Sequence, residues 1–240
     1  MRRLAALLAG VGVVGAAVGL VRALFRRRRR PTIVSAAMTA SAVGVASMEA
    51  TARRGFTSPH LQAAEHFAQE LAVHEQGRTH ADFSTHYDLA LWLASAAIIL
   101  SFSAIEAAVD EAVDDLDIPQ ELATCIERAP TLDKCQAILA HVGAQVFDRG
   151  RAPFQSVSLL RDIRNGLVHP RAEWDHERDV HARLTRRILA AQLPLSPICP
   201  DPDTAFPRGF ASAAIANWAA SSARQFIRQF RVRAGLPPRV

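Results

Sequence analysis

Apolar residues recur every three or four positions along most of the chain, and no segment alternates between apolar and polar residues as a strand would. Residues 86–116 are apolar on most sides over their first half, which predicts a long helix at the centre of a bundle. No internal repeat is present. The sequence therefore predicts an all-α fold, an up-and-down helical bundle. The predicted helices cover about 58–76, 86–116, 119–128, 131–146, 154–163, 177–192 and 209–233, with an irregular Pro-rich loop at 194–207.

An apolar run flanked by arginines opens the chain. Residues 4–25 are apolar apart from one arginine, and the run is about as long as a bilayer-spanning helix. The arginines at 26–30 predict that the C-terminal side stays in the cytoplasm, and they argue against a cleaved secretory signal. An alternative is that translation begins at Met38 or Met48, in which case the anchor is not made.

These patterns divide the chain into three predicted segments. Residues 1–30 form a membrane anchor with a basic flank, 31–56 form a linker, and 57–240 form a helical domain. The protein is accordingly predicted to be cytoplasmic, or anchored in a membrane with its C-terminal domain in the cytoplasm.

The charge distribution and the cysteine spacing argue against several classes of protein. The formal charge is +5, but eight arginines lie within 1–30, so the other 210 residues carry a formal charge of −3. This balance excludes a broad basic footprint for nucleic acid and leaves only local patches. Cys125, Cys135 and Cys199 form no Cys-x-x-Cys pair, so reduced thiols are expected rather than a disulfide framework or a structural zinc site.

Residues 161–170, Arg-Asp-Ile-Arg-Asn-Gly-Leu-Val-His-Pro, carry the strongest chemical signal. Gly166 and Pro170 are expected to end the preceding helix. Five residues of helix leave Arg164 and His169 about 140° apart, so they converge only if the last turn unwinds or a second copy supplies the partner. A fixed cation and an imidazole that titrates near neutral pH are what metal-free phosphodiester cleavage needs.

The pattern Arg164-Asn165-x-x-x-His169 at a helix end resembles the Arg-polar-x-x-x-His signature of the HEPN superfamily of helical ribonucleases. Residues 89–116, with Ala-Ile-Glu at 104–106, resemble the long apolar helix that opens many HEPN domains. Leu132 to Lys134 and Phe154 also sit where related proteins carry such residues. The resemblance covers roughly residues 86 to 235, and only the motif is specific.

The resemblance implies a metal-independent endoribonuclease without a cofactor, in which the RNA 2′-hydroxyl attacks and a 2′,3′-cyclic phosphate is left. His169 would act as general base or acid, Arg164 would hold the phosphate, and Asn165 would orient one of them or bind phosphate. A homodimer would supply a second histidine. Arg161 and Arg171 are predicted to bind substrate, and Glu106 to support the site.

The implied setting is toxin–antitoxin or phage defence, with RNA as substrate and an antitoxin protein as a partner. Two alternatives remain open. The motif can be a helix C-terminus in which the dipole stabilises His169 and Arg164 forms a salt bridge. The chain would then be a non-catalytic HEPN-like module that binds a protein or nucleotide partner.

Three further patterns have both a functional and a structural interpretation. The carboxylates of 106, 110, 114 and 117 share a helix face, where they pair with Arg164, bind a divalent ion or are solvated; Glu106 is the one expected to be buried. Arg224, Arg228 and Arg231 form a stripe that touches RNA phosphates or lipid, or is solvated. The spacing of five between His176 and His181 does not suit zinc.

Overall fold

The computed structural model describes residues 55–169, 179–199 and 205–238, which belong to one compact unit that begins at Gly55. In these ranges the regular structure is helical and no strand is found, so the predicted all-α class is confirmed. A short 3₁₀ turn, His80–Asp82, precedes the longest helix. The α-helices are α1 (Thr57–Glu75), α2 (Phe83–Asp115), α3 (Gln120–Ile126), α4 (Thr131–His141), α5 (Phe154–Val168), α6 (Asp179–Ala190) and α7 (Ala213–Arg233).

The helix boundaries differ from the predicted ones where a local feature stops the chain. Helix α4 ends at His141, earlier than predicted, and Gly143 follows with a positive φ of 69° that favours glycine. Helix α7 begins later than predicted, because the hydroxyl of Ser212 accepts a hydrogen bond from Ile215 N at 3.1 Å and caps the helix.

Helices α1, α2 and α7 pack together and form the centre of the unit. Ala68, Ala94 and Ala219, one from each helix, are fully buried. Such small side chains let neighbouring helix axes approach closely. Helix α2 also contacts α4 and α5, as expected for a central helix. Helix α5 carries Arg164, so α2 is the element against which this arginine is positioned.

Among the described residues, one helical stretch, His80–Asp115, is long and apolar enough to cross a membrane. Within its apolar window 44% of the residues are buried inside the protein, and the core helix of a soluble protein meets the same criterion. The predicted anchor at residues 4–25 lies outside the described residues, as does the linker up to residue 54.

Two buried or half-buried glutamates cap helices other than their own. Glu111 of α2 accepts hydrogen bonds from Phe56 N at 2.8 Å and Thr57 N at 3.1 Å, where α1 begins. Glu75 of α1 accepts from Ala213 N at 3.1 Å, where α7 begins. Carboxylates suit these places because helix N-termini carry unpaired N–H groups and a partial positive charge. Glu111, which the sequence did not single out, is thus a buried carboxylate of α2. Glu106 is half-buried, with a side chain 35% exposed, and is the least exposed of the carboxylates at 106, 110, 114 and 117.

A buried ion pair joins the far ends of α2 and α7. Arg231 is fully buried, and its guanidinium donates to Asp115 at 3.1 Å and to the carbonyl oxygen of Pro237 at 2.8 Å. The predicted stripe on α7 is thus broken up: Arg231 faces the core, Arg224 pairs with Glu65, and Arg228 is exposed. Arg231 lies on the side of α7 that faces the core, together with Ile227 and Phe230, which are also buried.

Replacing Asp115 by Asn should lower the free energy of unfolding by about 3–5 kcal/mol, because it leaves a buried guanidinium without its counter-charge. Chemical denaturation measures this loss. Arg228→Gln, on the exposed side of the same helix α7, is the control and should change stability by less than about 0.5 kcal/mol. A loss of under about 1 kcal/mol for Asp115→Asn would contradict this role for the pair.

Candidate active site

The motif lies at the C-terminal end of α5, which stays helical beyond the predicted end. Gly166 is inside the helix, and His169 N donates to Asn165 O at 2.9 Å as in a regular α-turn. The expectation that Gly166 helps to end the helix is wrong. Because the last turn does not unwind, Arg164 and His169 keep their wide angular separation within one chain.

Arg164 is held from three sides. Its Nη2 donates to both carboxylate oxygens of Glu106, at 3.2 and 3.3 Å, and its Nη1 donates to Asn165 Oδ1 at 3.0 Å. Its guanidinium carbon lies 5.4 Å from the centre of the Phe102 ring, a cation–π contact. Phe102 and Glu106 are one turn apart on α2, so one face of that helix fixes the orientation of the arginine.

This environment leaves Arg164 little freedom but does not close it off. The Arg164 side chain is 18% exposed and that of Glu106 is 35% exposed. Arg164 Nε is buried without a hydrogen-bond partner in the described part of the chain. Nη1 carries two hydrogens, and its contact with Asn165 uses one of them, so one N–H of Nη1 remains for an anion.

His169 stands at the end of α5 with an exposed side chain. Arg164 faces α2, whereas His169 faces solvent, so the structure does not bring the two side chains together within one chain. Asn165 does lie against Arg164, as its hydrogen bond shows. The roles of all three residues in catalysis stay predictions.

Of the two arginines predicted to bind substrate, one is placed by the structure. Arg161 Nε donates to Asp162 at 2.9 Å, and the carboxylate of Asp162 also accepts from Arg187 of α6. Arg161 is thus part of a different cluster from Arg164. Arg171 lies outside the described residues, as does His176.

The predicted acidic face, residues 106, 110, 114 and 117, contains both paired and exposed carboxylates. Glu106 pairs with Arg164, and Asp110 lies 3.5 Å from Lys134 of α4, while Asp114 and Asp117 are exposed. In the ranges that the structure describes, no group of three or more His, Cys, Asp or Glu side chains could hold a metal ion. Of the three cysteines, Cys125 is exposed, Cys199 is half-buried and Cys135 is buried, and burial raises the pKa of the Cys135 thiol.

Gly166 has a packing role that sequence reasoning missed. A Cβ atom at this position would lie 2.8 Å from Cζ of Phe206 and 3.4 Å from Cδ2 of Leu184. Phe206 belongs to the irregular turn Ala205–Gly209, and its backbone N and O both hydrogen-bond to the hydroxyl of Thr185 on α6. Because Gly166 has no side chain, the Phe206 ring can pack directly against α5.

Phe102 is a second missed residue, and its signal was its spacing: it precedes Glu106 by one helical turn. The cluster of Arg161, Asp162 and Arg187 was also missed. Asp162 and Arg187 are 25 positions apart and belong to different helices, so no local pattern links them.

Gly166→Ala should lower the free energy of unfolding by about 1–3 kcal/mol, since the added methyl overlaps the Phe206 ring. In a Phe206→Ala background the same change should be neutral or stabilising by up to about 1 kcal/mol, because alanine favours helix over glycine. Urea denaturation of the four proteins in this double-mutant cycle measures the coupling.

Gly150→Ala is the control, because its Cβ would meet only Asp148 Oδ1 at an ordinary 3.4 Å. An equal cost of Gly166→Ala with and without the Phe206 ring would show that the contact is not what requires glycine.

No protein-family model, no curated protein and no solved structure matches this chain. The chemistry of the motif must therefore be judged from the positions of Arg164, Asn165 and His169 themselves, at one end of α5.

Proposed function

We propose that this chain is a HEPN-like, metal-independent endoribonuclease whose active site is completed by a second copy of the chain. The observation that carries the proposal is the state of Arg164: a guanidinium fixed by Glu106, Asn165 and Phe102, yet partly exposed at the helix end that also bears His169. An arginine held in this way is suited to bind a phosphate whose position must be fixed.

The remaining donor of Arg164 supports phosphate binding. Nη1 keeps one hydrogen after its contact with Asn165, and this N–H of a charged guanidinium can donate to a phosphate oxygen. Glu106 offsets the arginine charge in the unbound state, so the guanidinium can lie partly buried without phosphate. When the phosphorane forms, the added negative charge would be stabilised by the same donor.

The chemistry requires a base and an acid on opposite sides of the phosphorus. His169 would take the proton of the 2′-hydroxyl while that oxygen forms a bond to phosphorus. The bond from phosphorus to the 5′-oxygen then breaks, and that oxygen receives a proton from a second imidazole. The products are a 2′,3′-cyclic phosphate and a free 5′-hydroxyl.

A second copy is the natural source of the second imidazole. Each chain has one His169, and it diverges from Arg164 on a regular helical turn. A two-fold dimer that brought two α5 ends together would place two arginines and two histidines around one RNA phosphate. The exposed position of His169 is what such an arrangement needs.

An enzyme that cleaves cellular RNA must be restrained, and a toxin–antitoxin or phage-defence setting provides a restraining partner. In that setting, expression of the full chain should arrest growth, and Arg164→Ala should relieve the arrest. The chain would act in the cytoplasm, either free or tethered there by residues 4–25.

A second candidate is a non-catalytic helical module that binds a partner protein. The observation that favours it is an exposed apolar surface on α2, where Leu89 is 43% and Trp92 is 58% exposed one turn apart. In this case the Arg164–Glu106 pair would be a structural ion pair, and the motif would carry no activity.

Purified full-length protein should cleave total RNA in the presence of EDTA and leave cyclic-phosphate ends. His169→Ala should lower the rate by about 10²- to 10⁴-fold, as expected for loss of an acid–base group. His141→Ala is the matched control, because His141 is also an exposed histidine at the end of a helix, and it should not change the rate. Equal rates for the parent and His169→Ala would exclude His169 from the reaction.

Mixing two inactive variants tests how the copies share the site. If one site uses Arg164 of one copy and His169 of the other, a mixed dimer of Arg164→Ala and His169→Ala contains one intact site. Random exchange of subunits should then restore about a quarter of the parental cleavage rate. If both histidines act at a single phosphate, as in the mechanism proposed above, the mixture should stay inactive, and restored cleavage would contradict the use of two histidines at one site. Cleavage by a protein that remains monomeric in sedimentation would contradict a shared site altogether.

A further inference from the structure

A cleft separate from the motif opens between α5, α6 and α7, with a volume of about 320 Å³. It is at the small end of the range for ligand sites, large enough for a single nucleotide but not for a large cofactor. Its lining combines a cation, an indole ring, an amide and a hydroxyl. These groups belong to Arg187, Trp218, Gln155 and Ser156, and the buried Leu159 is an apolar part of the lining.

The cation of the cleft belongs to a cluster of uneven charge. Asp162 accepts from Arg161 Nε at 2.9 Å and also from Arg187, so among the described residues one carboxylate pairs with two guanidinium groups and the three side chains carry a formal charge of +1. The side chain of Arg161 is 35% exposed, that of Asp162 is 30% exposed and that of Arg187 is 36% exposed, so solvent reaches the cluster. An anion in the cleft would balance this excess.

The two arginines are close enough to disfavour each other. Burial first, and then the charge of Arg161, lower the pKa of the Arg187 guanidinium. An anion beside Arg187 would offset both effects, since it replaces lost solvation and screens the neighbouring charge.

The uncharged side of the cleft suits a flat ring. Trp218 of α7 lines it and is half-buried, so part of the indole is available for stacking. Gln155 and Ser156, in the first turn of α5, offer donors and acceptors beside it. Indole rings stack on every nucleobase, and the polar groups can meet the edges of a base or a sugar.

We propose that this cleft binds a nucleotide, with its phosphate on Arg187 and its base against Trp218. The nucleotide can be free in solution or part of a single RNA strand, because both present the same phosphate and base. The proposal does not rest on the ribonuclease activity of the motif.

The position on α5 separates the cleft from the motif. Asp162 and Arg164 are two residues apart, which places them about 200° apart around the helix. Arg164 faces Glu106 of α2, whereas Asp162 faces Arg187 of α6. Binding in the cleft can therefore be measured without any contribution from the catalytic chemistry proposed for Arg164.

Calorimetric titration of the full-length protein with adenosine 5′-monophosphate and with adenosine tests the assignment. Arg187→Gln should weaken binding of the monophosphate by about 10- to 100-fold, the loss expected for charge-assisted hydrogen bonds, and should not change binding of adenosine. Trp218→Ala should weaken both by about tenfold or more, and Trp218→Phe should restore most of the loss. Thermal melting of each variant shows that it is folded.

Arg186→Gln is the matched control. Arg186 is the neighbouring arginine on α6, is exposed, and hydrogen-bonds only to Ala182 O of its own helix among the described residues. It removes the same charge and should leave both affinities unchanged.

A parallel titration with a short single-stranded RNA identifies the source of the nucleotide. Binding of the oligonucleotide alone, with the same dependence on Arg187 and Trp218, assigns the cleft to an RNA strand, and binding of the monophosphate assigns it to a free nucleotide. Absence of binding by either probe, or equal losses in Arg187→Gln and Arg186→Gln, would overturn the proposal. Either result is independent of RNA cleavage, which is read from the Arg164 and His169 variants.

Discussion

The fully buried guanidinium of Arg231 and its partner Asp115 set the relation between α2 and α7, and the rest of the unit is built around those two helices. Glu111 of α2 caps α1, and Glu75 of α1 caps α7. These three links run from α2 to α1, from α1 to α7 and from α7 back to α2. The alanines between the helices bring the axes close, and the charged links join defined positions on neighbouring helices, which favours one rotation and one axial register of each helix.

A fixed α2 in turn determines what α5 can do. Phe102 and Glu106 are presented to α5 by the same helix whose far end is tied down by Asp115, so Arg164 meets a rigid surface. Helix α5 then has two chemically different sides. On one side Arg164 donates to the carboxylate of Glu106. On the other side Asp162 accepts from both Arg161 and Arg187, and these three side chains together carry a formal charge of +1.

The sequence predicted the helices well because their apolar spacing is set by burial of one side, and most boundaries follow from Pro, Gly and capping residues. It also offered pairing of Glu106 with Arg164 as one of three interpretations of the carboxylates on that helix face, and the structure shows this pair. It failed for Arg231, whose i, i+4, i+7 spacing with Arg224 and Arg228 is also the spacing of a solvated stripe. Its burial is stabilised by Asp115 on another helix and by the carbonyl oxygen of Pro237, and the spacing of residues within α7 does not contain that information.

Gly166 illustrates the same limit. A glycine near a proline is a common helix end, yet here it is retained inside the helix by a ring that lies 40 positions later in the chain. As a consequence, the residue at 206 sets the cost of enlarging the residue at 166. A larger residue at 166 is tolerated best beside a smaller one at 206, so among descendants of this sequence the two positions are expected to change together.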